Sequence, residues 1–477
     1  MLGMAILCPL VIALIFGLLP ELSAMKNPPI RGEITFRTER PGLTKQDSPV
    51  SEITGNVSRW SMDWLEERYE NLMSWDKNPW KIPRSGFGDH YFKLLDSKDP
   101  LDIARTKELR RLADALHQRM LVRYPELAVA SKNVPPERNG FLKWLEFSER
   151  FTSKPQSKGI KFPEEVSKHI NGEAPWNAEA TKAWLAREKP LMDEIRAIGL
   201  MPEQSIADID VHRWAFFSAR LAKNCAEALQ MEARLAAGEG NAAAALESIQ
   251  AANGIAAHLA NVETPTLLAV TVQVLIQLQT QKYAFSEIMP ALPAGQLDPA
   301  AWEKALNPNV SPPGEFARIM KGEWNVTARE YLLPMLVDTE DPKYPPDPEA
   351  LLDHYAGFFL NVVQDHEGRP LEELPDIPVV DFPDGDHLSR QSRQVTIDLG
   401  LGSRAWRKGW ERAQSVSAMN QAAFAILKGQ PVPNDPIYGQ PYVWDPANRK
   451  LSPPHGEAFK DMEIKPITMP KTSNTNG

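Results

Sequence analysis

The sequence predicts an all-α protein built from stacked antiparallel helices. Apolar residues recur three and four positions apart over long stretches. Prolines and glycines punctuate those stretches, and the period-two alternation of a sheet is nearly absent. The 42 prolines cluster between the periodic segments, so they read as rigid connectors rather than as a collagen-like repeat.

Composition bounds the rest. A chain of 477 residues with 43% hydrophobic and 24% charged residues is long enough to bury more than one core. A net charge of -9 argues against nucleic acid as a partner, because phosphate binding needs a basic surface. Of the two cysteines, Cys8 lies in an N-terminal apolar run and Cys225 on the apolar stripe of a helix. No disulfide framework is expected, and Cys225 reads as a small buried hydrophobe.

From Met1 to Leu19 there is no charged residue. At about 1.5 Å per residue such a run just crosses a hydrocarbon layer of roughly 30 Å. Residues 1–24 are therefore expected to be a membrane anchor or a signal peptide, with membrane contact through residues 1–20. Ala24 before Met25 suits a cleavage site, but no Lys or Arg precedes the apolar run. Lys26, Arg31, Arg37 and Arg40 follow it, and by the positive-inside rule they would hold the body in the cytoplasm, although long folded domains cross regardless. The expected location is membrane-anchored or exported, at the cell envelope. Residues 25–58 are polar and read as a linker.

A helical region is expected over 59–200. Trp60, Trp64, Leu65, Leu72 and Met73 suit one helix face. Between Arg105 and Arg123, a cleaner stripe runs through Leu109, Leu112, Leu116 and Met120. Arg105, Lys107, Arg110, Arg111, Arg119 and Arg123 decorate the remainder, which reads either as a solvated face or as a basic face for an anionic membrane. Glu108 and Asp114 interrupt the charge and favour the solvated face.

The strongest signals lie in 201–430. Trp214, Phe217, Leu221, Cys225, Ala228, Leu229 and Leu235 recur at helical spacing. Gly238-Glu239-Gly240-Asn241 breaks the pattern, and an Ala-rich helix follows from Ala242 to about Ala260, predicting an antiparallel hairpin. Thr264-Pro265 is expected to cap the next helix. That helix is apolar almost all round, with a thin row of Gln273, Gln277 and Gln281, so it is expected to be central and buried. Further helices are expected near 315–336, 349–366 and 386–428. Residues 431–477 form a Pro-rich tail with short strands expected around Tyr442-Val443-Trp444.

Two segments resemble known families. Leu235 to Leu246, with its Gly-Glu-Gly-Asn turn and small alanines, resembles the inter-helix turn of tetratricopeptide repeats, which makes the expected fold TPR-like in part. Asp435-Pro436-Ile437-Tyr438-Gly439-Gln440-Pro441-Tyr442 resembles a segment near the end of type II secretion pseudopilins. It also resembles the tail of a group of uncharacterised, single-anchor helical proteins of bacterial envelopes, in which a Gly-Glu-containing helix, here Gly322-Glu323, comes earlier. That likeness covers roughly residues 205–445 and implies a helical body on one anchor. It implies no activity.

Candidate chemistry is sparse. Asp384, Asp386 and His387 form the densest set of metal-ligating groups, but a calcium loop needs more ligands at set spacing, and capping of a following helix is the favoured reading of the aspartates, so no metal is expected. Asp208, Asp210 and His212 do not share one helix face. Gly400-Leu401-Gly402-Ser403 lacks the Gly-Lys-Ser/Thr ending of a phosphate loop. Arg404 and Arg407 accompany Trp406 and Trp410, one helical turn apart, and could hold an anion or lipid headgroups. Burial of both indoles with the arginines reaching outward is the reading the pattern favours. No cofactor is expected. The sequence favours a non-enzymatic envelope scaffold or binding protein with a protein partner. The alternative is an extracytoplasmic hydrolase or lyase working with paired carboxylates.

Overall fold

A computed structural model describes residues 89–152, 160–306 apart from 208, 212 and 214–218, 315–342, most of 348–363, 411–454 apart from 437–438, and 464–470. These residues all belong to the unit Phe87–Gly477. They are predominantly helical, with few strands. The expected N-terminal apolar helix, the linker and the Trp60–Met73 helix lie outside the described residues.

The first helices are α1 (Asp89–Asp96) and α2 (Pro100–Arg123). Asp99 starts α2, its side chain accepting the Leu101 N–H, with Pro100 at the first helical position. The buried face of α2 is Thr106, Leu109, Ala113, Leu116, His117 and Met120. The expected stripe is thus largely present, with Leu112 at its margin and His117 inside it.

Next come α3 (Gly140–Thr152), α4 (Glu164–Ile170), α5 (Ala178–Arg187) and α6 (Lys189–Gly199). The hairpin follows as α7 (Ala219–Gly238) and α8 (Ala242–Ala260). Its turn has a direct cause. Gly240 takes φ +79, the Asn241 N–H returns to the Ala236 carbonyl, and the Asn241 side chain accepts the Ala244 N–H. Ala226, Ala233 and Ala237 on α7, with Ala245, Ala252 and Ala256 on α8, are fully or almost fully buried, and their small side chains let the two helices lie close. One core joins Trp144, Phe147, Trp184, Met192 and Ile195 to Leu221, Cys225, Leu229, Ala251, Ile255 and Ile276.

Helix α9 (Leu267–Tyr283) is the expected central helix, buried on most sides. Its cap is Thr266, whose side chain accepts the Ala269 N–H, and not Thr264. The start moves two residues because the Leu267 N–H is already taken by the Glu323 carboxylate and Pro265 precedes the helix. The glutamine row is buried: the Gln273 amide donates to Asn261, and that of Gln281 to the Leu306 carbonyl while its oxygen accepts from Asn420. Helix α9 continues through a π-helical turn, Ala284–Ile288.

After α10 (Pro299–Leu306), helix α11 (Glu315–Gly322) runs into a π-helical segment, Glu323–Leu332, and then α12 (Leu333–Val337). Helical residues recur within 348–363 and over 411–427. The tail carries a small antiparallel sheet of β1 (Val443–Asp445), β2 (Lys450–Ser452) and β3 (Ile467–Thr468). The Asp435–Tyr442 segment is a turn, as its sequence suggests. The Gly439 N–H donates to the Asp435 carbonyl, Gly439 has φ +67, and the Tyr442 hydroxyl donates to the buried Asp435 carboxylate.

Candidate functional site

Most residues singled out from the sequence lie outside the described residues: Asp384, Asp386 and His387, the 400–403 loop, and Arg404, Trp406, Arg407 and Trp410. So do Asp208 and His212, while Asp210 is exposed. Cys225 is fully buried, and burial pushes its thiol well above the ordinary range. Among the described residues no three His, Cys, Asp or Glu side chains gather as metal ligands.

The structure instead brings together groups distant in sequence, along a polar seam between α2 and the Glu323–Val337 stretch. Arg110 donates to the buried Glu330 carboxylate at 2.6 Å. The Tyr91 hydroxyl donates to the Glu330 carbonyl at 3.2 Å. Burial pushes the Tyr91 phenol up to about 12, against the pull of Arg110, so it stays protonated. One turn away, Arg329 meets Asp114 at 2.6 Å. Further along, Asp338 has a fully buried carboxylate that His90 Nδ1 meets at 2.6 Å and Arg105 at 3.3 Å. The π-helical wind of Glu323–Leu332 sets which of its side chains face α2, and π turns recur at functional positions.

A second concentration of polar contacts surrounds Glu263. Its carboxylate accepts the Ser205 hydroxyl and the Ile206 and Lys132 N–H groups. Burial raises its carboxyl, but those three donors and the residue's own backbone N–H outweigh it and hold the group below the usual carboxylate range. Beside it opens a pocket of about 270 Å³, lined by Ala128, Val129, Ala130, Thr264, Ala317, Arg318 and Lys321. Arg318 also donates to the Val262 carbonyl. The walls are small and apolar, with a cationic rim on α11 and one carboxylate whose oxygens are already engaged. The rim cations can pair with an acidic group, whereas the Glu263 oxygens are already engaged.

Sequence reasoning missed the seam. Arg110 and Asp114 follow one another at i and i+4 beside the apolar stripe, which was the available signal. Their partners Glu330 and Arg329 lie more than two hundred residues away, with nothing local to name them. Comparison with protein-family models, curated proteins and solved structures found no match.

Proposed function

We propose that this chain is a non-enzymatic, envelope-associated helical scaffold or binding protein, its body of helical hairpins tethered to a membrane through the N-terminal apolar run. The supporting observation is how its buried acids are used. Glu263 ties the 205–206 loop to the segment at Lys132, Glu323 closes the start of α9, and Glu330 and Asp338 pin α12 and the preceding π-helical segment to α1 and α2. Each is committed to holding distant segments of the chain in place, which is the work of a scaffold. The Gly-Glu pair and the Asp-Pro turn support the same reading through the envelope-protein resemblance, and the TPR-like hairpin supports it separately as a helical binding element.

The pocket beside Glu263 is the proposed contact point for a protein partner, through Arg318 and Lys321. The test is affinity capture of the full chain from detergent-solubilised membranes, compared with an Arg318→Glu, Lys321→Glu variant. A partner retained by the parent and lost from the variant supports the reading. Capture of nothing, together with activity in a broad hydrolase screen, reverses it.

A further inference from the structure

We propose that the outward face of α2 lies along an anionic lipid surface, a second membrane contact besides the apolar N-terminal run. The inference rests on the tethered reading above. Leu101, Ala104, Glu108, Arg111, Ala115, Gln118 and Val122 follow one another at alternating spacings of three and four, so they share one face, opposite the buried Leu109, Ala113, Leu116 and Met120. On this face Leu101 is 80% exposed and Val122 85%. Side chains of this kind, near both ends of a 24-residue helix, depart from the polar outer face that a helix in water normally shows.

Charge selects the occupant. Lys107, Arg111 and Arg119 are exposed on this side of the helix, against Glu108 and against Asp114, which stands beside Lys107 and is held by Arg329. The other arginines of α2 are turned to acids elsewhere: Arg105 to Asp338, Arg110 to Glu330 and Arg123 to Asp353. Arg111 pairs with Glu108, which leaves Lys107 and Arg119 as the cations available to an outside anion. A basic, partly apolar face on a chain of net charge -9 complements a negative surface and not the protein's own average surface. A bilayer offers that charge over a flat, yielding plane able to meet a straight convex helix along its length, with lysine and arginine reaching to headgroups while the shorter side chains enter the acyl boundary. No helix among the described residues is long and apolar enough to cross a membrane, so α2 would lie on the surface.

The test uses the full chain carrying Cys8→Ser and Gln118→Cys, labelled at the new thiol with an environment-sensitive fluorophore, since Cys225 is buried. Phosphatidylcholine vesicles with and without phosphatidylglycerol are compared. Blue-shifted emission on the anionic vesicles, lost on those without phosphatidylglycerol, is the expected result. Lys107→Glu with Arg119→Glu, both on the solvent side, should weaken it by at least about tenfold. A label that stays water-exposed while the chain floats with vesicles overturns this face and leaves the tether standing. A chain that does not float overturns both. Emission that shifts only when solubilised membrane proteins are added assigns the face to a protein and overturns the lipid assignment.

Discussion

The Glu323 carboxylate accepts the Leu267 N–H at 2.6 Å across 56 residues of sequence, so the start of the central helix is completed by a distant helical segment. Gly322 makes this approach feasible, because a β-carbon there would collide with the Pro265 carbonyl. Loss of the acceptor leaves a buried N–H unsatisfied. Glu323→Ala should lower unfolding stability by about 1–3 kcal/mol, and Glu323→Gln by less, since the amide oxygen still accepts. Urea denaturation followed by circular dichroism measures both, and an unchanged midpoint for the alanine variant would contradict the capping role.

Gly199 and Gly254 bring α6 and α8 into backbone contact. A β-carbon on Gly254 would strike the Gly199 carbonyl, and one on Gly199 would strike that of Ala251. Neither obstacle is a side chain that can swing away. Gly254→Ala should cost about 1–3 kcal/mol or more through overpacking. Gly357 serves as the control, since a β-carbon there would meet nothing within 4 Å and its φ is not positive. Gly357→Ala should be neutral or stabilise by up to about 1 kcal/mol. Thermal melts of the two variants should separate clearly.

His117 and His258 make the fold sensitive to mild acid. Both are buried. Desolvation takes each imidazole down to about 4, aided at His117 by Arg329 and opposed there by Asp114 and Asn325, and opposed at His258 by its bond to the Ile198 carbonyl. The unfolded chain binds these protons near the ordinary value of about 6.5. Stability from the two neutral rings is therefore fully present above about pH 6.5 and is lost as pH falls towards 4, by an amount on the order of a few kcal/mol. Denaturant midpoints across that window should fall, and His117→Gln should flatten the slope by about one proton. A midpoint that does not move between those pH values would refute the assignment.

Cys225 should be inert in the native chain. With its thiol fully buried and raised by desolvation, a Cys8→Ser protein should show no reaction with an aromatic disulfide reagent at mildly alkaline pH, then one thiol on unfolding in urea. Fast native labelling would place Cys225 at a surface.

What could be read from the sequence was governed by local rules. The α7–α8 hairpin followed from a break of glycines between two apolar periodicities, and the buried α9 from apolar residues on every side. The Asp435–Tyr442 turn followed from glycine and proline placement. Thr264 was a natural cap by residue type. Thr266 won because the donor that Thr264 would have needed to organise was engaged from outside the segment. Arg105 and Arg110 looked like surface decoration, since a helix pattern states which side chains flank a stripe and not what stands opposite.

By itself the sequence determined the helical class, the spacing that buries one face of α2, and the overall acidity of the chain, because each depends on neighbours within a few turns or on a sum over all residues. Only the tertiary structure decided that Arg110 meets Glu330, that His90 and Arg105 converge on Asp338, and that Gly254 lies against Gly199. Those pairings depend on chain closure over long separations, where packing of whole helices selects the partner and no local pattern encodes it.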